Sequence, residues 1–375
     1  MTKQIKPGTR SGSCRPPVSK SDAHRRLLSA ALSGSCGVLL DETPADDLLA
    51  TVRCLRALGA DIRETADENG RIFLRMEKKP ETASGSTAEL LCGESGTTFR
   101  FLLPVAAALG IHTLFRLDGR LPDRPVGELA ATLEANGAVI QKNGPEVFLS
   151  GRLRPGVYAV PGNISSQFVS GLLFALPLLD GESVLSVDGE PVSAPYIALT
   201  EQTLSDCGIR RETERTGSAW SYKIPGNQIY RAPGTVRPEA DWSGAAPFLC
   251  MGACSDTGIL AEGLNENSLQ GDKAILPLLQ AFGTLACLEP DGIRVRRGRL
   301  TATDIDASQI PDLVPVLAAL ASGADGTTTI RHAERLRLKE SDRLQTTAAM
   351  LSALGADISE TEDGLRITGK PCLPG

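Results

Sequence analysis

The sequence predicts an α/β protein built of similar subunits. Three observations carry this: a helix–glycine–strand pattern that recurs five times, near-constant spacing between its copies, and a composition suited to more than one cored domain. The copies are Thr51–Ile62, Leu129–Ile140, Leu199–Ile209, Ile275–Leu285 and Thr347–Ile358. In each, Leu and Ala recur at i, i+3 and i+4, as on the buried face of an amphipathic helix. Each then reaches a glycine suited to the left-handed position that ends a helix, and continues into a β-prone stretch. Those glycines, Gly59, Gly137, Gly208, Gly283 and Gly355, are spaced 78, 71, 75 and 72 residues apart. Such a period is too long for a solenoid of short repeats and gives each unit room for two helices and about four strands. After Ile358 only polar Ser359–Gly364 and a β-like run, Leu365–Thr368, precede the last residues. If units come in equal sets of three per domain, the sixth is expected to be incomplete, short of roughly 50–70 residues.

The composition fits that plan. At 375 residues the chain is long enough for two or more domains. Hydrophobic residues make up 41% and charged residues 22%, as in soluble globular proteins, while aromatics at 4% leave the core to Leu, Ala and Val. The formal charge of −6 argues against a broad nucleic-acid surface. It leaves room for a locally basic cleft that takes a small anion. Nine scattered cysteines read as reduced thiols of a cytoplasmic protein. Cys250 and Cys254 have helical spacing, not that of a zinc knuckle. Met1–Arg10 is polar and has no signal-peptide core. The apolar stretch Phe101–Leu109 is too short for a membrane span, so none is expected.

Candidate chemistry gathers where polar motifs meet predicted helices. Ser19-Lys20-Ser21-Asp22-Ala23-His24-Arg25-Arg26 stands before the helical run Leu27–Leu32. Lysine and two serines at a helix N-terminus suit an anion, because free N–H groups and the dipole favour negative charge. The plainer reading is a capping serine with a solvated basic turn, and His24 fits a structural place better than a catalytic one. Gly93-Glu94-Ser95-Gly96-Thr97-Thr98-Phe99-Arg100 precedes the helix Phe101–Leu109. Its glycines allow close backbone approach to a ligand, although many strand–helix turns look alike. Asp123-Arg124-Pro125 places an arginine before the next helix, where a surface guanidinium is the ordinary case. Asn163-Ile164-Ser165-Ser166-Gln167 opens the predicted helix Val169–Leu176, with three polar side chains suited to phosphate oxygens or to redundant capping. Ser193-Ala194-Pro195-Tyr196 repeats the pattern.

In the second half, Gln309-Ile310-Pro311-Asp312 precedes the apolar helix Leu313–Leu320, and Lys339-Glu340-Ser341-Asp342-Arg343 precedes the helix Leu344–Leu354. Asp312 could be a helix cap and Glu340 a first-turn acid. Together with Lys339 and Arg343 they also form a set able to move a proton beside an anionic substrate.

In order and combination these motifs resemble the 3-phosphoshikimate 1-carboxyvinyltransferase (EPSP synthase) family, from about Lys6 to Gly375. The Glu94-Ser95 form of the second motif is similar to the bacterial variants called class II. The resemblance implies a two-domain enolpyruvyl transferase fold of repeated βαβαββ units, an inside-out α/β barrel, here with the sixth unit incomplete. Residues 1–18 and 239–375 would form one domain, incomplete at its C-terminal side. Residues 19–238 would form the other, with most of the shikimate-phosphate site. It also implies roles. Ser165, Ser166 and Ser193 would bind the 3-phosphate of 3-phosphoshikimate. Lys20, Ser21, Arg25, Gln167, Asp312 and Lys339 would hold the rest of that substrate. Lys20, Gly96, Arg124, Gln167 and Arg343 would contact phosphoenolpyruvate. Asp312 would be the general base, and Glu340 with Lys20 would manage protonation at the enolpyruvyl methylene. No metal, organic cofactor, nucleic acid or membrane is implied, and the chain would act as a cytoplasmic monomer.

Three departures qualify the resemblance. Pro17-Val18-Ser19 stands where the family has Pro-Gly-Ser. Arg335 replaces a polar or acidic residue. The family's Asp-His-Arg motif and late catalytic lysine have no counterpart in these residues, which leads to the alternative expectation of a truncated homologue that binds 3-phosphoshikimate but is weakly active or inactive. The sister enzyme, UDP-N-acetylglucosamine enolpyruvyl transferase, fits less well: Ser21 stands where it has Asn, and no cysteine lies between Cys92 and Cys207.

Overall fold

All five turn glycines adopt positive φ, between 73° and 106°, and each separates a helix from a strand. The computed structural model describes Gly8 and residues 10–41, 43–81 and 86–373. Among these residues lie five four-stranded sheets of one design. In each, two strands run parallel, and a hairpin folds back so that its second strand pairs antiparallel with the second of them. Thr87–Gly93, His112–Leu117, Glu146–Gly151 and Ala138–Asn143 form one such sheet, in that spatial order. Alternation along Thr87–Gly93 buries Ala88, Leu90 and Cys92, which turns one face to the helices.

Two sheets complete themselves with a distant strand. Gly37–Leu39 takes Thr235–Val236 as its parallel neighbour, and Ile259–Glu262 takes Gly12–Cys14. The helix–glycine–strand pattern could not show this, because parallel pairing has no local sequence signal. It explains the domain boundaries physically. One compact unit is Lys20–Pro238; the other comprises the described residues of Met1–Ser19 and Glu239–Gly375. Within the second unit, Val18 bridges Ala240, the Ser19 N–H donates to the Glu239 carbonyl (2.6 Å), and the Asp241 N–H donates to the Pro17 carbonyl (2.8 Å). The departing and returning segments are therefore tied where the chain crosses out of this unit and back. The Glu239 carboxylate accepts from Asn265 (2.8 Å), Ser268 (2.5 Å) and Gln270 (3.2 Å), which fixes the returning segment further.

Helices begin earlier than the sequence predicts. They span Lys20–Ser33, Gly96–Leu109, Ser166–Ala175 and Arg343–Ala353, so residues of the first three motifs form first turns, whereas Lys339–Asp342 still precede a helix that starts one residue early. Val314–Ala321 is the exception: a short 3-10 turn, Pro311–Leu313, carries Asp312 ahead of it. The shift has a common cause. Ser95, Ser165 and Asp342 each accept a backbone N–H as N-caps, and a cap inside the motif moves the helix start with it.

The turn glycines differ in what surrounds them. A Cβ on Gly283 would lie 2.3 Å from the Arg299 carbonyl oxygen, whereas one on Gly208 would meet nothing within 4 Å. Gly208→Ala should therefore cost about 1–2 kcal/mol for left-handed backbone alone. Gly283→Ala should cost ~3 kcal/mol or more, because backbone must also shift. Urea unfolding of the two variants checks this, and equal losses would contradict it.

Candidate active site

In the Lys20–Pro238 unit, five helices pack in a closed ring: Lys20–Ser33, Asp46–Ala57, Gly96–Leu109, Ser166–Ala175 and Ala194–Asp206, with the last against the first. Their first turns are hydrogen-bonded to one another. Lys20 Nζ meets Asp47 Oδ2 (2.8 Å), the Thr98 hydroxyl donates to the Asp47 carbonyl (3.4 Å), and Gln167 Nε2 donates to Thr97 Oγ1 (2.8 Å). Arg25 Nη2 donates to the Tyr196 carbonyl (2.7 Å). The five N-termini thus share one end of the ring. Unsatisfied N–H groups and aligned dipoles make that end a place for anions.

The second motif is built around Gly96. A Cβ there would come within 2.9 Å of Arg124 Nη1 and 3.2 Å of Arg100 Nη1, so the missing side chain lets two guanidiniums crowd one helix start. Arg100 is nearly buried. It donates to Gln167 Oε1 (2.7 Å) and the Pro125 carbonyl (2.7 Å), with its guanidinium over the Phe168 ring. Gln167 can reach because Gly171, one turn later, lies against the Arg100 backbone; a Cβ would be 2.4 Å from that carbonyl oxygen. Glycine inside a helix costs about 1 kcal/mol relative to alanine, and here it permits the close crossing that brings Gln167 to Arg100. Ser165 caps its helix, Ser166 opens it, and both lie one turn or less from Gln167. Ser193 stands at the N-cap position of the Ala194–Asp206 helix, without a capping side-chain hydrogen bond, in a left-handed conformation (φ 54°), a strained choice for a serine and one that clusters at functional positions.

Arg25 has a role the sequence did not disclose. It is 2% exposed and donates to Thr200 (2.8 Å), the Ser21 carbonyl (2.6 Å), the Tyr196 carbonyl and Ser170 (3.3 Å), above the Phe101 ring. It pins three helices of the ring together. Burial pushes its guanidinium down to about 10, against the favourable charge of Asp22, so it stays charged at neutral pH. His24 takes a structural place as well. Its Nδ1 meets Thr51 Oγ1 (2.8 Å), which meets Thr98 Oγ1 (2.7 Å), which meets the capping Ser95 Oγ (2.7 Å). This buried ladder ties the first motif to the second.

The other unit holds a compact charge cluster. Arg343, first residue of its helix, reaches Asp312 Oδ1 (2.6 Å) with one nitrogen and Glu340 Oε2 (2.9 Å) with another. Burial alone would depress this guanidinium; Asp312 and Glu340 outweigh that and hold it above its ordinary range. Arg337 braces the segment, donating to the capping Asp342 (3.2 Å), Glu360 (2.6 Å) and the Thr361 carbonyl (3.1 Å). Arg335 donates to the Ser308 carbonyl (2.9 Å), which joins this segment to the loop that carries Asp312. Lys339 lies close enough for its charge to act on Asp272, a buried acid.

Each unit therefore brings its sequence-predicted residues together. Lys20, Ser21, Arg25, Gly96, Arg124, Ser165, Ser166, Gln167 and Ser193 lie at the ring's N-terminal end or brace it. Asp312, Lys339, Glu340 and Arg343 lie in the second cluster. The sequence does not single out Asp47 or Asp272, and Arg100 closes the second motif without an assigned role. Asp47 is one of two acids opening a helix, Arg100 sits in an apolar run, and Asp272 follows a glycine in a polar loop; none of these patterns singles out a site. Among the described residues no group of three or more His, Cys, Asp or Glu side chains could hold a metal ion. No helix among them is long and apolar enough to cross a membrane.

Comparison with known proteins shows the family of the chain and its fold. Residues 5–375 match the family model of EPSP synthase (3-phosphoshikimate 1-carboxyvinyltransferase). A 3-phosphoshikimate 1-carboxyvinyltransferase of Clostridium novyi is 37% identical over 382 residues, covering 99% of this chain and 86% of the relative. A solved EPSP synthase from Acinetobacter baumannii superposes with a TM-score of 0.74 at 26% identity, over 98% of this chain and 84% of that one. The enolpyruvyl transferase NikO from Streptomyces tendae shares the fold, with a TM-score of 0.71 at 20% identity, over 96% and 83% of the two chains.

The buried ladder generates a pH prediction. Burial first, then Lys20 and Arg25, hold His24 well below its usual range, so it is neutral in the folded protein. Below about pH 6.5 the unfolded chain binds a proton that the folded imidazole refuses. Stability is therefore lost as pH falls, by up to about 1.4 kcal/mol per pH unit from this residue. His24→Gln should unfold in urea with a shallower loss between pH 6.5 and 5 than the native protein. Parallel slopes would rule the explanation out.

Proposed function

The chain belongs to the EPSP synthase (3-phosphoshikimate 1-carboxyvinyltransferase) family, and from that premise we propose how its residues divide the reaction. It is a transferase of the shikimate pathway, moving the enolpyruvyl group of phosphoenolpyruvate to the 5-hydroxyl of 3-phosphoshikimate with release of phosphate. One observation carries the assignment of roles: five helix N-termini share one end of a ring, bordered by Lys20, Arg100 and Arg124. Both substrates are polyanions, and such an end attracts them although the chain is negative overall.

Ser165, Ser166 and Ser193 take the 3-phosphate, with Ser21, Arg25, Gln167 and Lys339 on the ring and its carboxylate. Lys20, Gly96, Arg124, Gln167 and Arg343 take phosphoenolpyruvate. Asp312 accepts the proton of the 5-hydroxyl as that oxygen attacks C2, and Glu340 with Lys20 protonates the methylene. The tetrahedral adduct then expels phosphate as a proton returns from the new methyl group to Glu340, which restores the carbon–carbon double bond of the enolpyruvyl product. Arginine and lysine balance the charge that develops, which makes a metal or organic cofactor unnecessary in this reading. Arg343 is held between Asp312 and Glu340, so an arriving anion takes over part of a guanidinium already in contact with the base and the acid. The same reading makes the protein a cytoplasmic monomer that acts on two small molecules, without nucleic acid or membrane.

Phosphate release tests it. The chain should release phosphate only when phosphoenolpyruvate and 3-phosphoshikimate are both present, and UDP-N-acetylglucosamine should not replace the latter. Asp312→Asn should lower kcat by about 10²–10⁴-fold while 3-phosphoshikimate still binds. Arg124→Ala and Arg343→Ala should each lower kcat/KM by about 10–200-fold through loss of a charge-assisted contact. Phosphate release that needs only one substrate, or an Asp312→Asn variant of full activity, would overturn the assignment.

A further inference from the structure

A buried acid stands beside the Asp312 cluster and has no part in the scheme above. Asp272 lies in the short Gly271–Ala274 turn and is 2% exposed. Its Oδ2 meets the Ser243 hydroxyl, while Oδ1 is buried and meets no hydrogen-bond partner among the described residues. A buried carboxylate oxygen with no donor is costly to leave charged, so the geometry by itself favours the protonated form.

The charged groups facing Asp272 are few. The Trp242–Ala253 helix brings its capping Asp241 and, two residues on, the uncharged Ser243. The turn before the Val314–Ala321 helix brings Asp312, and the segment before the Arg343–Ala353 helix brings Lys339. The Ile275–Ala281 helix that continues from the turn has no charged side chain, and neighbouring Lys273 turns to the Glu266 carbonyl (3.1 Å). Burial and then the charge of Asp312 push the Asp272 carboxyl up to about 7, against the Ser243 hydrogen bond and Lys339.

We propose that Asp272 is a positioning residue which, by keeping its proton while Asp312 is ionised, sets the affinity of the Asp312–Lys339–Arg343 cluster for an anionic substrate. The inference rests on the assignment of that cluster to substrate binding. With Asp272 neutral, Arg343 answers to Asp312 and Glu340, and Lys339 faces one negative charge fewer. Once Asp272 ionises, a further negative charge draws on Lys339 and repels an arriving phosphate or carboxylate. The proton leaves to solvent, and no bond to substrate is made or broken at Asp272.

The test is the pH dependence of KM against kcat, with Asp272→Asn as a permanently neutral stand-in. Between pH 6 and 8.5 the ratio of native KM to variant KM for 3-phosphoshikimate should rise about fivefold, while the ratio of kcat values stays flat. Because both proteins meet the same substrate, ionisation of the substrate phosphate cancels in the ratio. Ser243→Ala provides a second arm that keeps the acid: loss of its hydrogen bond should move the midpoint of the native KM rise to higher pH. Calorimetric binding of 3-phosphoshikimate at the same pH values supplies the readout if the Asp272→Asn variant does not fold. A constant ratio, a change confined to kcat, or an unmoved midpoint in Ser243→Ala would overturn the inference while leaving the assigned reaction standing. A chain that binds neither substrate at any pH would overturn both.

Discussion

The structure of the Lys20–Pro238 unit depends on an electrostatic constraint. Five helices that point their N-termini to one end concentrate partial positive charge there, and Lys20, Arg25, Arg100 and Arg124 add full charges to it. Such an arrangement repels itself unless acceptors are distributed through it. The acceptors are carbonyls at 21, 125 and 196, the amide oxygen of Gln167 and the carboxylate of Asp47. Among these Asp47 carries a net charge, and Asp22 adds a second beside Arg25. The neutral acceptors named here are dipoles, which satisfy donors without cancelling the positive field. A carboxylate at each of these places would make a more strongly paired structure and a poorer anion site.

The opposite arrangement operates in the other unit. There Arg343 sits between two carboxylates, Arg337 between two more, and Asp272 is buried within reach of Asp312. Acids are close to balance with bases in this cluster, so small changes in protonation alter its net charge. An anion site built on surplus positive charge is insensitive to one proton; a site built on near-balance is not. That contrast is consistent with the proton-handling roles proposed for Asp312 and Glu340 and with a pH-sensitive affinity of the cluster they share with Lys339 and Arg343.

Much of this was legible in the sequence, and the boundary of legibility is physical. The helix–glycine–strand units were readable because amphipathic period and left-handed glycines are local properties, and Gly59 through Gly355 adopt the expected conformation. The motifs were readable because anion-binding helix starts need small and polar residues in short range. What stayed hidden was non-local. Nothing near Gly12–Cys14 or Thr235–Val236 shows that each completes a sheet begun far away in the chain. Arg100 sits in an apolar helix and becomes a site residue only because Gly171 of another helix lets Gln167 approach. Helix starts were misjudged for a related reason: the caps Ser95, Ser165 and Asp342 look like ligand residues in sequence and serve the backbone in the fold.

Capping and ligand binding are not competing explanations for these residues. A helix start that captures an anion must keep some N–H groups open while others are satisfied, or the helix frays. Ser95 satisfies the Thr98 N–H and passes its hydroxyl contact down the ladder to His24, while Gly96 beside it has no side chain to cover the helix end. Ser165 likewise takes the Gln167 N–H and leaves Ser166 at the first helical position. One residue of each pair stabilises the element and its neighbour presents it. The serine-rich and glycine-rich motifs are thus short because the two tasks fall on adjacent residues, and a single substitution can impair binding through the cap as readily as through the ligand contact.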